Sequence, residues 1–156
     1  MIASLATYRR AHAYVGLAHR LREELDWLRV ALGCPEDFRG MCSIASYALK
    51  VAMGRAGDRA TLVFGTHAYG FAGHCWVEWR GLVLDPTHSQ FGAPDVLVAP
   101  RSSAAFDDYC EDHRGPDAWG ALREFDNGAP KFAREARRAA DRAVGRRRRM
   151  AWEARA

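Results

Sequence analysis

Three residues in this sequence have types and positions that could do chemistry together: Cys42, His74 and Asp85. A thiol nucleophile needs surroundings that favour thiolate, a base beside it and a group that orients the base. Cys42 follows a loop over residues 35–40 and stands at the first turn of a predicted helix. A helix N-terminus presents free N–H groups and a partial positive charge, and both favour thiolate over thiol. The same N–H groups can stabilise an oxyanion. Gly40, just before Met41, permits a tight backbone turn, and the small residues Ser43, Ala45 and Ser46 leave room for a substrate or a facing strand.

The base and its orienting group are read from a hairpin. His74 opens the segment His74-Cys75-Trp76-Val77-Glu78-Trp79. Strand alternation puts His74, Trp76 and Glu78 on one face and Cys75, Val77 and Trp79 on the other. Arg80-Gly81 reads as a two-residue hairpin turn. Trp79 then opposes Leu82, Val77 opposes Leu84, and Trp76 opposes Asp85. Asp85 thereby becomes the diagonal neighbour of His74 on the same face, about 7–8 Å away between backbones, which side chains can close. Its carboxylate would hold the imidazole in one tautomer and stabilise its charged form. A three-residue loop would put Asp85 on the opposite face. Pro86 ends the strand and sets Asp85 at the sheet rim, Trp76 is placed to shield the His–Asp bond, and Glu78 reads as structural.

The elements that must position these residues follow from periodicity. Tyr14, Leu17, Leu21, Leu25, Leu28 and Leu32 recur at helical spacing, predicting a helix over 5–32 that Gly33 and Pro35 stop. A second helix is expected over 41–54. Strands are expected over 60–66, 74–79, 82–85 and, bracketed by Pro94 and Pro100, 95–99. Residues 101–128 read as loop with short helices near 104–109 and 116–125. A basic last helix over about 129–153 can take Pro130 in its first turn. Helices followed by strands argue for an α+β fold in one domain, 1–156, with a catalytic core at about 35–100.

Taken together, Gly40-Met41-Cys42-Ser43-Ile44-Ala45-Ser46, Val63-Phe64-Gly65, Gly73-His74-Cys75-Trp76-Val77-Glu78 and Leu84-Asp85-Pro86-Thr87 resemble the transglutaminase-like superfamily of papain-type thiol enzymes. The resemblance implies a nucleophile helix packed on an antiparallel sheet. It also implies Cys42 as nucleophile, His74 as general base and then acid, and Asp85 as orienting residue. The chain is similar in length, and in the Cys, Val-x-Gly and His-x-Trp-Val-Glu blocks, to the small bacterial leader-peptide proteases of lasso-peptide biosynthesis. Ser43 stands where those usually carry Leu. The expected activity is hydrolysis of an amide bond in a peptide or protein through a thioester on Cys42. Acyl transfer to an amine, as in transglutaminases or amide ligases, is the alternative. Neither a cofactor nor a metal is called for.

Charge and composition bound the other readings. The net charge is +4, but residues 129–156 carry ten Lys/Arg against three Asp/Glu, so the rest is mildly acidic. The basic tail, with Arg146 to Arg149, reads as a solvated helix. No aromatic interleaving or groove-reading motif points to nucleic acid. An inactive interaction module acting through that tail is a competing reading, in which Cys42 would be no more reactive than Cys34 or Cys110. Cys110-x-x-His113 is a weak zinc-type spacing, and Asp107, Asp108, Glu111 and Asp112 read as a solvated acidic cluster. No apolar run approaches the ~20 residues that span a bilayer. A cytoplasmic location is the default, with all four cysteines reduced.

Overall fold

The computed structural model describes residues 5–67, 71–92, 94–114 and 129–153. Helix α1 (Leu5–Ala31) is followed by α2 (Cys42–Arg55), then by strands β1 (Thr61–His67), β2 (Phe71–Trp79) and β3 (Leu82–Asp85). Strands β4 (Leu97–Pro100) and β5 (Tyr109–Arg114) come next, and helix α3 (Ala129–Glu153) closes the described chain. Short 3-10 turns stand at His88–Phe91 and Ala104–Phe106. The five strands form one antiparallel sheet in the order β4-β3-β2-β1-β5. The class is α+β, as expected from the element order. Among the described residues, no helix is long and apolar enough to cross a membrane.

The sheet separates two apolar clusters. On one face Leu62, Cys75, Val77, Leu82 and Leu84 pack under Leu17, Leu21 and Leu25 of α1 and Leu49 and Met53 of α2. Ala136, Ala139, Ala140 and Ala143 line the buried side of α3, and such small side chains let helices approach closely. On the other face lies a smaller cluster of Val63, Trp76, Val83, Phe106 and Tyr109. Strand alternation thus sends Cys75 to the helices and Trp76 away from them.

The β2–β3 hairpin has the inferred register, with Trp79 opposite Leu82 and Val77 opposite Leu84. Arg80 (φ 50) and Gly81 (φ 77) both have positive φ, the signature of a tight two-residue hairpin turn that matches strand twist. Elsewhere the strand bounds differ from expectation. β2 begins at Phe71, and β4 is shifted to Leu97–Pro100, where Pro100 can close an edge strand because it has no donor to contribute.

The larger correction is β5. The short helix expected near 104–109 is a 3-10 helix confined to Ala104–Phe106, and Tyr109 opens a strand antiparallel to β1. The charged run Glu111-Asp112-His113 lacks the apolar alternation of a strand, so pairing with β1 decides its conformation. Gly65 makes that pairing feasible. A Cβ there would lie 1.9 Å from the Cys110 carbonyl oxygen and 2.8 Å from Cη2 of Trp76. The helix expected at 116–125 lies outside the described residues.

Candidate active site

Cys42 is the first residue of α2 and is half-buried. The loop that delivers it turns through left-handed backbone at Phe38 (φ 64) and Gly40 (φ 85). Met41, fully buried, is the N-cap, and no side chain caps the helix. The leading N–H groups are therefore not taken by a capping side chain. Ser43 sits half-buried in the first turn. One turn on, the Ser46 hydroxyl donates to the Cys75 carbonyl at 2.7 Å, tying α2 to the residue that follows His74.

A second tie comes from α1. Arg22 Nη1 donates to the Pro86 carbonyl (3.0 Å) and to Ser89 Oγ (2.9 Å), and its guanidinium lies 4.2 Å above the Phe38 ring. Ser89 Oγ in turn donates to the Asp37 carbonyl at 2.6 Å. One arginine thus joins the loop before Cys42 to the loop after Asp85.

His74 and Asp85 are both fully buried, and His74 Nε2 donates to Asp85 Oδ2 at 2.7 Å. That bond commits Nε2, and the Cys42 thiol interacts with the imidazole closely enough to raise its proton affinity. Burial, the largest single influence, pulls the His74 pKa down. The Asp85 charge, the Asp85 hydrogen bond and Cys42 outweigh it and raise the pKa to about 10. Burial would likewise push Asp85 up, but the His74 charge, His74 and Tyr109 hydrogen bonds and the Thr87 N–H hold it below its ordinary value. Trp76, fully buried, stacks near the imidazole with ring centroids 5.9 Å apart and planes 25° apart. Its Nε1 donates to Glu78 at 3.4 Å.

A family model for the transglutaminase-like superfamily matches residues 3–93, which include Cys42, His74 and Asp85. The chain belongs to the transglutaminase-like superfamily. No curated protein and no solved structure matches it significantly. Membership sets this transglutaminase-like chain among cysteine-based hydrolases and acyltransferases.

Sequence reasoning assigned no role to several residues around the dyad of this transglutaminase-like chain. Thr87 donates twice to Asp85 Oδ1, from its N–H at 2.8 Å and its hydroxyl at 3.1 Å. Tyr109 of β5 donates to Asp85 Oδ2 at 2.7 Å. With His74, four donors therefore converge on one buried carboxylate, which favours its charged form despite burial. The Tyr109 hydroxyl, having one hydrogen, accepts from His88 Nδ1 at 2.9 Å, and Tyr109 ionisation is pushed up by burial and by Asp85. Gln90 Nε2 lies 3.2 Å from His74 Nδ1. Thr87 and Gln90 follow Asp85 closely and were visible as polar residues after the strand. Tyr109 had no local signal, because its strand was not legible.

The remaining thiols lie apart from this arrangement. Cys75 is fully buried on the helix-facing side, and burial, then the Cys42 and Asp85 charges, push its pKa well up. Cys34 packs beside Gly40, and burial raises its pKa too. Cys110 is exposed on β5. Among the described residues, no three His, Cys, Asp or Glu side chains form a group able to hold a metal.

Proposed function

We propose that this protein is a cysteine amidohydrolase acting on a peptide or protein through an acyl-enzyme on Cys42. The observation that carries the reading is the buried His74–Asp85 hydrogen bond, with the Cys42 thiol at the start of α2 interacting with the same imidazole. The sulfur of Cys42 attacks the amide carbonyl as His74 Nδ1 takes the thiol proton. The oxygen becomes an oxyanion, held by N–H groups at the uncapped start of α2. Collapse expels the amine, which leaves with the proton from His74, and a thioester remains. Water, deprotonated by His74, then releases the carboxylic acid and restores the thiol. Asp85 keeps the ring in the tautomer with hydrogen on Nε2 and compensates its charge when Nδ1 is protonated. Cys34, Cys42, Cys75 and Cys110 are all free, in keeping with a reducing, cytoplasmic setting.

The test is intact-mass analysis of wild type and Cys42→Ala after exposure to a thiol-reactive acyl probe. One adduct in wild type that is missing from the variant is the expected result. Equal labelling of both proteins would defeat the proposal. Running the same reaction with added amine separates hydrolysis from transamidation by the mass of the product.

A further inference from the structure

Gln90 lies in the 3-10 turn His88–Phe91, its side chain turned inward and only 8 % exposed. Its Nε2 contacts three atoms: the Thr87 carbonyl at 3.0 Å, Thr87 Oγ1 at 3.1 Å and His74 Nδ1 at 3.2 Å. The carbonyl can only accept, so the nitrogen end of the amide is the end that points inward. The Thr87 hydroxyl spends its own hydrogen on Asp85 Oδ1, so toward Gln90 it too accepts. A flipped amide would press its oxygen against the Thr87 carbonyl. Gln90 therefore presents N–H to the same ring nitrogen that must take the Cys42 proton. An N–H donor is satisfied by a bare Nδ1 and opposed by a protonated one.

We infer that Gln90 is a positioning residue that competes with the proton for Nδ1 of His74 and so holds the proton affinity of the ring below what Asp85 alone would give it. This rests on the triad reading above and deepens it: the amide sets how readily the ring takes the thiol proton. The other groups that act on the imidazole are Asp85 on β3, Tyr109 on β5, His88 on the turn, His67 on β1 and Cys42 itself. None of them is replaced when Gln90 alone is changed, so a difference between variants reports the amide.

The experiment follows iodoacetamide alkylation of Cys42 in the full chain across pH, with peptide mapping to separate it from Cys34, Cys75 and Cys110. The thiolate displaces iodide, so the rate tracks the fraction of ionised sulfur. Gln90→Leu keeps the size of the side chain and deletes the donor. It should label Cys42 roughly three- to tenfold faster at mildly acidic pH, the worth of one hydrogen bond, with the midpoint of the profile moved to lower pH. Gln90→Met, which also deletes the donor but keeps an unbranched side chain, should move it the same way and covers the case in which the leucine variant does not fold. A midpoint unchanged or higher in the folded variants overturns the inference. His74→Gln separates the two levels. If it leaves the wild-type profile as it was, the triad reading fails and the Gln90 inference falls with it. If it abolishes the acid-shifted labelling while the Gln90 variants match wild type, the Gln90 inference alone is wrong.

Discussion

Replacing Gly65 with alanine should damage this fold far more than its single methyl suggests. The added Cβ would sit 1.9 Å from the Cys110 carbonyl oxygen and 2.8 Å from Trp76 Cη2. Ordinary carbon–oxygen contacts are about 3.3 Å or longer, so β5 must retreat by more than about 1 Å. Backbone and a fully buried indole are both poor at giving way. Overpacking of this kind costs roughly 1–3 kcal/mol. The retreat also strains the β1–β5 ladder and pulls Tyr109 from Asp85, a hydrogen bond to a charged group worth about 1.5–3 kcal/mol. The expected total is about 3–5 kcal/mol, read by urea unfolding. Gly54→Ala and Gly145→Ala are the internal controls. Both positions are helical with nothing within 4 Å of the new Cβ, and each change should stabilise by about 0.5–1 kcal/mol. A Gly65→Ala protein within about 1 kcal/mol of wild type would refute the close-approach argument.

Other outcomes follow from the buried dyad. Asp85→Ala should lose about 3–5 kcal/mol, because it strands a buried imidazole that no longer has a counter-charge; a loss like that of an exposed site would contradict the pairing. Tyr109→Phe should cost about 1.5–3 kcal/mol and leave Cys42 in place, which urea unfolding and Cys42 labelling read separately. The pH dependence of stability should have two edges. His74 holds its proton more tightly when folded, so its contribution is complete below an unfolded pKa of about 6.5. It is lost as pH rises through about 10. Asp85, lowered on folding, contributes above its unfolded value of about 3.9 and ceases to as pH falls through the folded one. The alkaline decline in urea midpoint should therefore shrink in His74→Gln, and an unchanged decline would assign it to other groups. Arg22→Met should loosen the loops around Asp37 and Ser89 together, seen as faster hydrogen exchange at both; loosening of one loop only would show that Arg22 does not join them.

What could be read before the structure was whatever strong local rules decide. The hairpin is the clearest case. Arg80-Gly81 admitted a two-residue turn, the turn set parity, and parity put Asp85 on the face of His74, where it bonds the ring. The helix bounds followed from leucine spacing and from Gly33, and α1 ends within a residue of its expected stop. Strand β5 failed the same approach because Tyr109-Cys110-Glu111-Asp112 has no apolar alternation, and its pairing partner lies some forty residues away in β1. The fourth donor to Asp85 went unread for the same reason. Gly65 stood out in the sequence as part of a block, yet its reason, a carbonyl passing over its Cα, is a contact between distant strands and has no local trace.

The Ser46–Cys75 bond has a consequence for how this protein would come apart. It joins the turn that carries the sulfur to the strand that carries the ring, in the middle of the main apolar cluster. Fraying of chain ends or breathing of surface loops leaves that junction untouched. Separating the start of α2 from β2 therefore requires opening the molecule at its centre, and parting of Cys42 from His74 should coincide with global melting instead of preceding it.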